Sequence, residues 1–532
     1  MDGEVRLLAG LKKMEPLEVL PGDEYCFEMA QFDFQRGAAD EPAAKQFFYR
    51  KPPFGGSYAL LGGLAGFLRQ LSEYRFTDDV LAHYERLGFR GPWLDFLRER
   101  KQLRIQVLAP REGSVIFPHE PVVSLIGPLH DVRIAEGLLL PQVGPATLWL
   151  TKWNRLVLAA SPIPAVDFGR RRAQDHRRST LYAYLAGVAS TSNAEITAFF
   201  DIPCLGTMGH EVPQAIGDEF QAFDEWLTYK PDRPVLLVDT VDSLQSGIPN
   251  ALRAFAKHWD RIRATGKRPG MRIDSGDLAY LALRALQMID AAARDRHNPE
   301  FTTIQVMVSG DLDEYTFTAI RRQLVEHAEE HGLDPSTVLS RVMAAPAGTM
   351  PSTCFDQPSL GGVAKLTEID GWASIKLSNK REKTSIPGLN SSALIWARGF
   401  DGDWADLKAC AIFPRKLYEA RDGKLVRGGE VVTSLTLRHP DDPAKMMVLT
   451  DYLAESREYV PYDSRNGTGF TAAWEDPTLS DIRARVRAEV RRLDWSYRRL
   501  ENPHLAKVSL VPELYDLRQR MIDEQVMRED QL

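Results

Sequence analysis

Four short segments concentrate the residue types that do chemistry, and each stands where an apolar run ends. The first, residues 167–174, reads DFGRRRAQ, with Arg177 and Arg178 close behind. Three consecutive arginines cannot all be buried without anions, so they are either solvated or gathered round phosphate or carboxylate. A plain surface cluster is the bland reading. Phe168-Gly169 tips it, because an aromatic beside a glycine lets a flat ring stack while the backbone comes close. The second segment, GTMGHE at 206–211, sets His210 among glycines. A histidine aimed into a cleft can act as base, metal ligand or phosphorylatable nucleophile, although a lone histidine is most often a satisfied structural residue. The zinc-binding HExxH pattern is excluded, because Gln214 stands at the position of its second histidine. In the third segment, RIDSGD at 272–277, Asp274 can accept vicinal hydroxyls such as those of ribose, or ligate Mg²⁺. Asp277, just before the apolar-periodic run that begins at Leu278, reads as a helix cap and leaves Asp274 free. The fourth group, Ser309-Gly310-Asp311 and Ala347-Gly348-Thr349, offers backbone N–H groups and hydroxyls suited to phosphate. Each signal alone is weak; together they describe an enzyme acting on a phosphorylated sugar or nucleotide.

The elements that must position these turns follow from periodicity. From about residue 135, apolar runs alternate with helical patterns: VLLVDTV, then a helix near Asn250 to Arg263; MRIDSG, then Leu278 to Ala293; IQVMVSG, then Leu312 to Glu330; then VLSRVMAA. That alternation predicts a parallel sheet covered by helices, whose active site forms at the carboxyl ends of the strands. The first 130 residues mix a helical pattern over Leu71 to Leu87 with short β-rich runs (KQLRIQVLAP, GSVIFPHEP, VVSLIGPL). After about residue 365 short strands return, such as ASIKLS and GEVVTSLTL, before a helix from about Leu479 to Leu500 striped by Ile482, Val486, Val490, Leu493 and Tyr497. The seven arginines between Arg483 and Arg499 are read as a solvated face rather than an RNA-binding one. Three regions are expected: a β-rich and helical region over 1–135, an α/β barrel over 136–364, and a segment over 365–532 that completes the first region and ends in helices.

Composition bounds the class. The 532 residues carry 66 Lys+Arg against 73 Asp+Glu, a formal charge of −7, with 44% hydrophobic and 26% charged residues. This is the balance of a globular chain with ample core, and it excludes a disordered chain, a collagen-like repeat and a basic nucleic-acid coat. No internal repeat or low-complexity tract stands out. The most apolar stretch, Gly137 to Leu150, is about 14 residues and is interrupted by Pro141 and Pro145, short of the roughly 18 that a membrane span needs. The four cysteines (Cys26, Cys204, Cys354, Cys410) are scattered, and Cys354 in its Pro/Ser/Thr loop is read as a packing residue. No secretory signal is visible, and a reducing, cytoplasmic home is expected. Walker A and GxGxxG patterns are absent, which removes the main support for P-loop NTPase and Rossmann readings.

These segments resemble one family closely. DFGRRRAQ (167–174), STSN (190–193), GTMGHE (206–211), LLVDTVD (236–242), MRIDSGDL (271–278), VSGDLDE (308–314), QPSLGGVAKL (357–366) and KTSIPG (383–388) occur in the order and spacing of nicotinate phosphoribosyltransferases. EYCFEMAQ (24–31) and FFYRKPPFGGSYALLGGL (47–64) are similar to that family too. The resemblance implies a type II phosphoribosyltransferase fold: an irregular, TIM-like α/β barrel beside a β-rich domain made from both chain ends, working as a homodimer with interface active sites. It implies transfer of phosphoribose from 5-phosphoribosyl pyrophosphate to nicotinate, giving nicotinate mononucleotide and pyrophosphate in NAD salvage. ATP would enter as co-substrate and be hydrolysed through a phosphohistidine, and Mg²⁺ would arrive bound to substrate, with no protein-side-chain metal site assigned. Small molecules are then the only partners expected, with neither nucleic acid nor membrane.

Carried over by motif, His210 resembles the phosphorylated histidine and Asp274 the acceptor of the ribose hydroxyls. Arg171 and Arg172 would hold phosphates or the nicotinate carboxylate, and Phe168 and Tyr25 of the partner subunit would sandwich the pyridine ring. Ser309, Gly310, Asp311, Gly348 and Thr349 would hold the ribose 5-phosphate, with Asn193, Thr207, Arg272 and Ser275 completing the substrate site. Ser192 aligns where nicotinamide enzymes carry an acid; a hydroxyl can donate to a carboxylate that an acid would repel, so nicotinate is favoured. The chain also departs from the family. The phosphate loop reads AAPAGT (344–349) in place of FGVGT, Gly209 replaces the commoner Ala, Val241 replaces a Tyr, and Arg170 adds a third arginine. No cysteine follows Cys410, so the zinc knuckle of some relatives is absent. The alternatives are a nicotinamide-preferring relative and a catalytically inactive paralogue that binds without turnover. A type I phosphoribosyltransferase needs two adjacent acids where Val238-Asp239-Thr240 supplies one.

Overall fold

Short, largely apolar runs whose residues are buried on both faces form strands that helices must cover, and five such runs pair with a short polar sixth, Ser190–Thr191. The computed structural model describes residues 6–14, 22–378, 383–399, 401–467 and 469–529. The chain divides into two compact units, 152–356 and the combination of 1–151 with 357–532.

The 152–356 unit holds a six-stranded sheet in the order Ser190–Thr191, Ala165–Asp167, Val342–Ala347, Gln305–Val308, Gly270–Ile273, Val235–Leu237. Every neighbouring pair is parallel, as the alternating pattern predicts. The sheet curls as a half-barrel, which fits the expected irregular barrel. Helices Ile248–Ala264, Leu278–Asp295 and Glu314–Glu326 follow three of the strands. The starts of the last two are written by aspartates: Asp277 accepts from the Tyr280 N–H and Asp313 from the Thr316 N–H, each satisfying an orphan donor of the first turn. The predicted cap at Asp277 is therefore real, and its neighbours 274–276 form the turn between strand and helix.

The second unit draws on both chain ends. Its seven-stranded antiparallel sheet interleaves Pro42–Phe48, Val123–Pro128 and Gln106–Ala109 from the amino-terminal half with Val363–Ile369, Trp372–Ala373, Tyr459–Asp463 and Gly469–Phe470 from the carboxyl-terminal half. A six-stranded sheet built round Asn390–Arg398 and Trp404–Pro414 encloses a separate core that includes Ile395, Ile412 and Leu437.

Several boundaries differ from the sequence expectation. The helical pattern at Leu71 to Leu87 is two helices, Leu64–Glu73 and Asp78–Arg86, because Tyr74 turns extended and Thr77 caps a new start by accepting from the Val80 N–H. Within ASIKLS only Ala373 is in a strand; Ser374 donates its N–H to the Thr367 carbonyl and the regular ladder ends there. The arginine-rich helix stops at Arg492, where Leu493 becomes extended, and a further helix follows at Pro512–Glu529. Leu493 and Tyr497 are buried all the same. Arg492 pairs with Glu455 and Arg485 donates to the Glu112 carbonyl, so the arginines of this helix are partly committed to the protein. The apolar stretch Gly137 to Leu150 lies inside the helix Leu129–Ala160, prolines included. No helix among the described residues is long and apolar enough to cross a membrane. Cys354 is buried as expected, and burial pushes its thiol up.

Candidate active site

The carboxyl ends of the parallel strands converge on Arg272, the third residue of its strand. Its guanidinium donates to Ser309 Oγ at 2.8 Å, to Thr207 Oγ1 at 3.0 Å and to Asp274 Oδ1 at 2.5 Å, and lies 5.3 Å from the centre of the Phe168 ring. One side chain thereby ties four of the sequence-predicted segments together. Asp274 is not free, as the cap argument left it: Ser309 Oγ also donates to Oδ1. Burial pushes the Asp274 carboxyl up, but Ser309 and Arg272 outweigh it and hold the group below the usual carboxylate range. Asp274 is thus an anion at neutral pH, and among the described residues none donates to its Oδ2.

The arginine turn is organised by Asp167, a buried carboxylate that accepts from the Gly169 N–H at 2.7 Å and from Thr180 and Thr191 hydroxyls at 2.9 and 2.8 Å. Burial raises its pKa while those donors lower it, with burial ahead. Gly169 is required by close approach: a Cβ there would lie 1.7 Å from Ser352 Oγ. The three arginines then divide. Arg170 donates to Asn193 Oδ1 at 3.1 Å and pairs with Glu195. The side chains of Arg171 and Arg172 have no hydrogen-bonding or ion-pair partner among the described residues, and both residues line the cleft. That cleft, about 200 Å³, is bounded by Phe168, Arg171, Arg172, Arg272, Asp274 and the two predicted phosphate loops.

Those loops meet each other. Thr349 Oγ1 donates to Asp311 Oδ1 at 3.0 Å. Gly310 has φ +128°, and a Cβ on it would come within 2.9 Å of the Asp274 carbonyl oxygen, so only glycine lets this loop close on the aspartate. The altered AAPAGT segment forms a full strand to Ala347, whose carbonyl accepts the Phe168 N–H at 2.8 Å, and Pro346, Gly348 and Thr349 line the cleft.

His210 opens the short helix Glu211–Ile216 with its side chain about two-fifths exposed. Its Nδ1 is 3.0 Å from Thr240 Oγ1, and its Nε2 is 4.0 Å from Asp239 Oδ1. Asp239 was passed over as a site residue by sequence reasoning. It is buried, and its Oδ2 accepts from the Asp274 N–H at 2.9 Å and from Ser275 Oγ at 2.7 Å. Its Oδ1 has no donor among the described residues. The available signal was an acid closing the apolar run VLLV.

Of the predicted residues, the structure brings Phe168, Arg171, Arg172, Arg272, Asp274, Gly310, Asp311, Gly348 and Thr349 into one cleft. Thr207 and Ser309 stand behind it as partners of Arg272, and Ser275 as a partner of Asp239. Asn193 is fully buried, donating to the His176 carbonyl and Thr180 while it receives Arg170; it braces the arginine turn. Ser192 is half-buried and donates its N–H to the Asp167 carbonyl at 2.8 Å. Glu195, the acid nearest to it downstream, is neutralised by Arg177 and His176. Tyr25 lies in the other unit, half-exposed, its hydroxyl donating to Glu136 at 3.2 Å; burial and then the Glu136 charge push its phenol up.

A half-barrel of parallel strands whose carboxyl ends carry unpaired arginines, an anionic aspartate and two small-residue loops defines an α/β enzyme class that binds phosphorylated ligands. Two family models match the chain, those of the nicotinate phosphoribosyltransferase N-terminal domain at residues 20–143 and its C-terminal domain at 429–518. The nicotinate phosphoribosyltransferase of Bacillus subtilis is 29% identical over 94% of this chain and 94% of its own. The human protein of that name is 31% identical over 71% of this chain and 77% of its own. The crystal structure of human nicotinic acid phosphoribosyltransferase superposes with a TM-score of 0.71 at 23% identity, covering 94% of this chain and 99% of that one. This chain belongs to the nicotinate phosphoribosyltransferase family.

Proposed function

We propose that this protein joins nicotinate to 5-phosphoribosyl pyrophosphate, forming nicotinate mononucleotide and pyrophosphate, with ATP hydrolysis coupled through phosphorylation of His210. The observation that carries the reading is the meeting of two unpaired arginines, a flat aromatic ring and the open Oδ2 of an anionic aspartate in one cleft. In the transfer, the bond between the anomeric carbon and the pyrophosphate oxygen breaks as the pyridine nitrogen bonds to that carbon. Asp274 accepts the ribose hydroxyls and sets its negative charge near the carbon as that atom becomes cationic. Phe168 stacks on the pyridine, and Arg171 and Arg172 take the nicotinate carboxylate and phosphate oxygens. The small residues of 309–311 and 348–349 receive the 5-phosphate, fixing the reacting atoms in one geometry. Ser192, with no free acid within three residues, supports nicotinate over nicotinamide.

His210 is set up for phosphoryl transfer. An Nε2–H turned to the orphan Asp239 Oδ1 would place the lone pair on Nδ1, where the Thr240 hydroxyl holds it until a phosphoryl group arrives. The P–N bond forms as the bond to the leaving ADP oxygen breaks, and water later returns the phosphate. Among the described residues no group of three His, Cys, Asp or Glu side chains is arranged to cage a metal. Asp274 and Asp311, both facing the cleft, would instead hold a magnesium ion brought in by pyrophosphate. Bound there, the ion would neutralise charge on the leaving group. The working form is a homodimer in which Tyr25 of the partner subunit closes the pyridine site, acting in the cytoplasm. Product formation is assayed with and without ATP, in the wild type and in His210→Ala. ATP stimulation in the wild type, lost in the variant with the basal rate retained, is expected; equal stimulation in both would overturn the role of His210.

A further inference from the structure

The 152–356 unit is entered at Lys152 and left at Asp356, and these two side chains pair at 2.8 Å. Lys152 is almost wholly buried, whereas Asp356 is about one-third exposed. The same ammonium lies 2.9 Å from Glu314 Oε2. Glu314 is fully buried, and its Oε1 accepts from Arg155 Nε at 2.8 Å, while Arg155 also donates to the Tyr315 hydroxyl at 3.1 Å. Two cations therefore face two anions in one buried cluster, with charge balanced.

The position of the two carboxylates in the chain matters. Glu314 begins the helix that directly follows Ser309-Gly310-Asp311. Asp356 ends the segment that follows Gly348-Thr349, just after Cys354 turns left-handed at φ +48°. One ammonium on the helix Leu129–Ala160 thus grips the chain a few residues beyond each phosphate loop, and the loops touch through Thr349 and Asp311. Buried ion clusters contribute little net stability compared with apolar packing, yet they admit one discrete arrangement of the groups they join.

We propose that Lys152, Glu314 and Asp356 form a positioning clasp that sets the separation of the two phosphate loops, and thereby the affinity for the phosphoribosyl ligand, without touching it. The ligand's identity rests on the function proposed above; the clasp does not. Asp356→Asn removes one grip while Glu314 still balances the ammonium. The expected result is a rise of roughly tenfold in the KM for 5-phosphoribosyl pyrophosphate, since small misplacements of a binding group are costly. The nicotinate KM should stay within about twofold, and Asp356→Glu should restore most of the loss. In a double-mutant cycle, Asp356→Asn and Thr349→Ala should be non-additive on that KM, because both act on the same loop contact. Tyr315→Phe loosens the other flank more mildly and gives the same selectivity at smaller size, which serves if Asp356→Asn does not fold. Unchanged constants, or both KM values and kcat moving together with the melting temperature, would overturn the clasp. If the wild type yields no nucleotide, the proposed function falls, and calorimetric binding of 5-phosphoribosyl pyrophosphate still reads the clasp: Asp356→Asn must weaken it about tenfold.

Discussion

Two buried charge clusters in this molecule look alike in composition and differ in what they leave open. Around Arg457, in the unit built from both chain ends, the guanidinium reaches Glu120 at 3.8 Å and Glu489 at 3.2 Å. Glu120 in turn accepts from the Phe117 N–H and the Ser392 hydroxyl, so both its oxygens are occupied. Around Arg272, in the half-barrel unit, the cation is equally well held, but among the described residues Asp239 Oδ1 has no donor and the side chains of Arg171 and Arg172 have no anion. Among the described residues Arg457 Nε lacks an acceptor there, but both oxygens of Glu120 are taken, so the first cluster is closed on its anionic side and supports the fold. The second keeps charges of both signs facing a cleft, which folding alone does not require and a charged ligand does.

That contrast can be broken by substitution. Asp274→Asn should cost most, about 10³-fold in kcat/KM, because it removes the anion facing the developing cation; steady-state assays of nucleotide formation measure it, with the melting temperature unchanged. Arg171→Ala and Arg172→Ala should each lose about 10- to 100-fold, the worth of a charge-assisted hydrogen bond of roughly 1.5–3 kcal/mol. Arg170→Ala, whose partners are already in the protein, should stay within about fivefold, as a surface pair is worth ~1 kcal/mol or less. If Arg170 proved as costly as its neighbours, the division of the three arginines would be wrong. In the closed cluster the signs reverse: Arg457→Met should lower stability by about 3–5 kcal/mol in denaturant melts, leaving the buried Glu120 without its cation, with KM values unmoved.

A pH-dependent effect on stability sharpens the same comparison. Beside the closed cluster, burial pushes Glu458 up from the ordinary 4.5 to about 7, although Ser391 and Arg415 pull it down. Between those two values the unfolded carboxyl ionises while the folded one keeps its proton. Stability is therefore lost as pH rises through the window from 4.5 to 7. Glu458→Gln lacks that loss, so its stability relative to wild type should improve between pH 5 and pH 8, by up to about 3 kcal/mol. A difference that does not change with pH would remove Glu458 from the account.

The strand-end turns were legible because their chemistry is local. An aspartate before a helical run, a glycine after an aromatic and small residues at the end of an apolar run each carry their meaning within six residues. What escaped depends on residues far apart in sequence. DFGRRRAQ does not say which arginine Glu195 will take, and Asn193 reads as a ligand contact until Arg170 and Thr180 are seen to surround it. Asp239 escaped because its role rests on His210 and Ser275, roughly thirty residues away on either side. Lys152, Glu314 and Asp356 carry no local signal: they are three charged residues that only the folded sheet brings together. The break in the Leu71 to Leu87 pattern was readable at Thr77, a capping residue that periodicity overlooks.

The most direct test of the central claim, that this cleft transfers phosphoribose to nicotinate, is a competition assay. Purified protein is given 5-phosphoribosyl pyrophosphate, Mg²⁺, ATP and equal amounts of nicotinate and nicotinamide, and both nucleotides and pyrophosphate are quantified. Nicotinate mononucleotide formed one-to-one with pyrophosphate, with the nicotinamide product at about a hundredth of it or less, is the predicted result, two hydrogen-bond-sized differences in free energy being enough to give that ratio. Folded protein that forms neither nucleotide, or forms chiefly the nicotinamide one, would contradict the account.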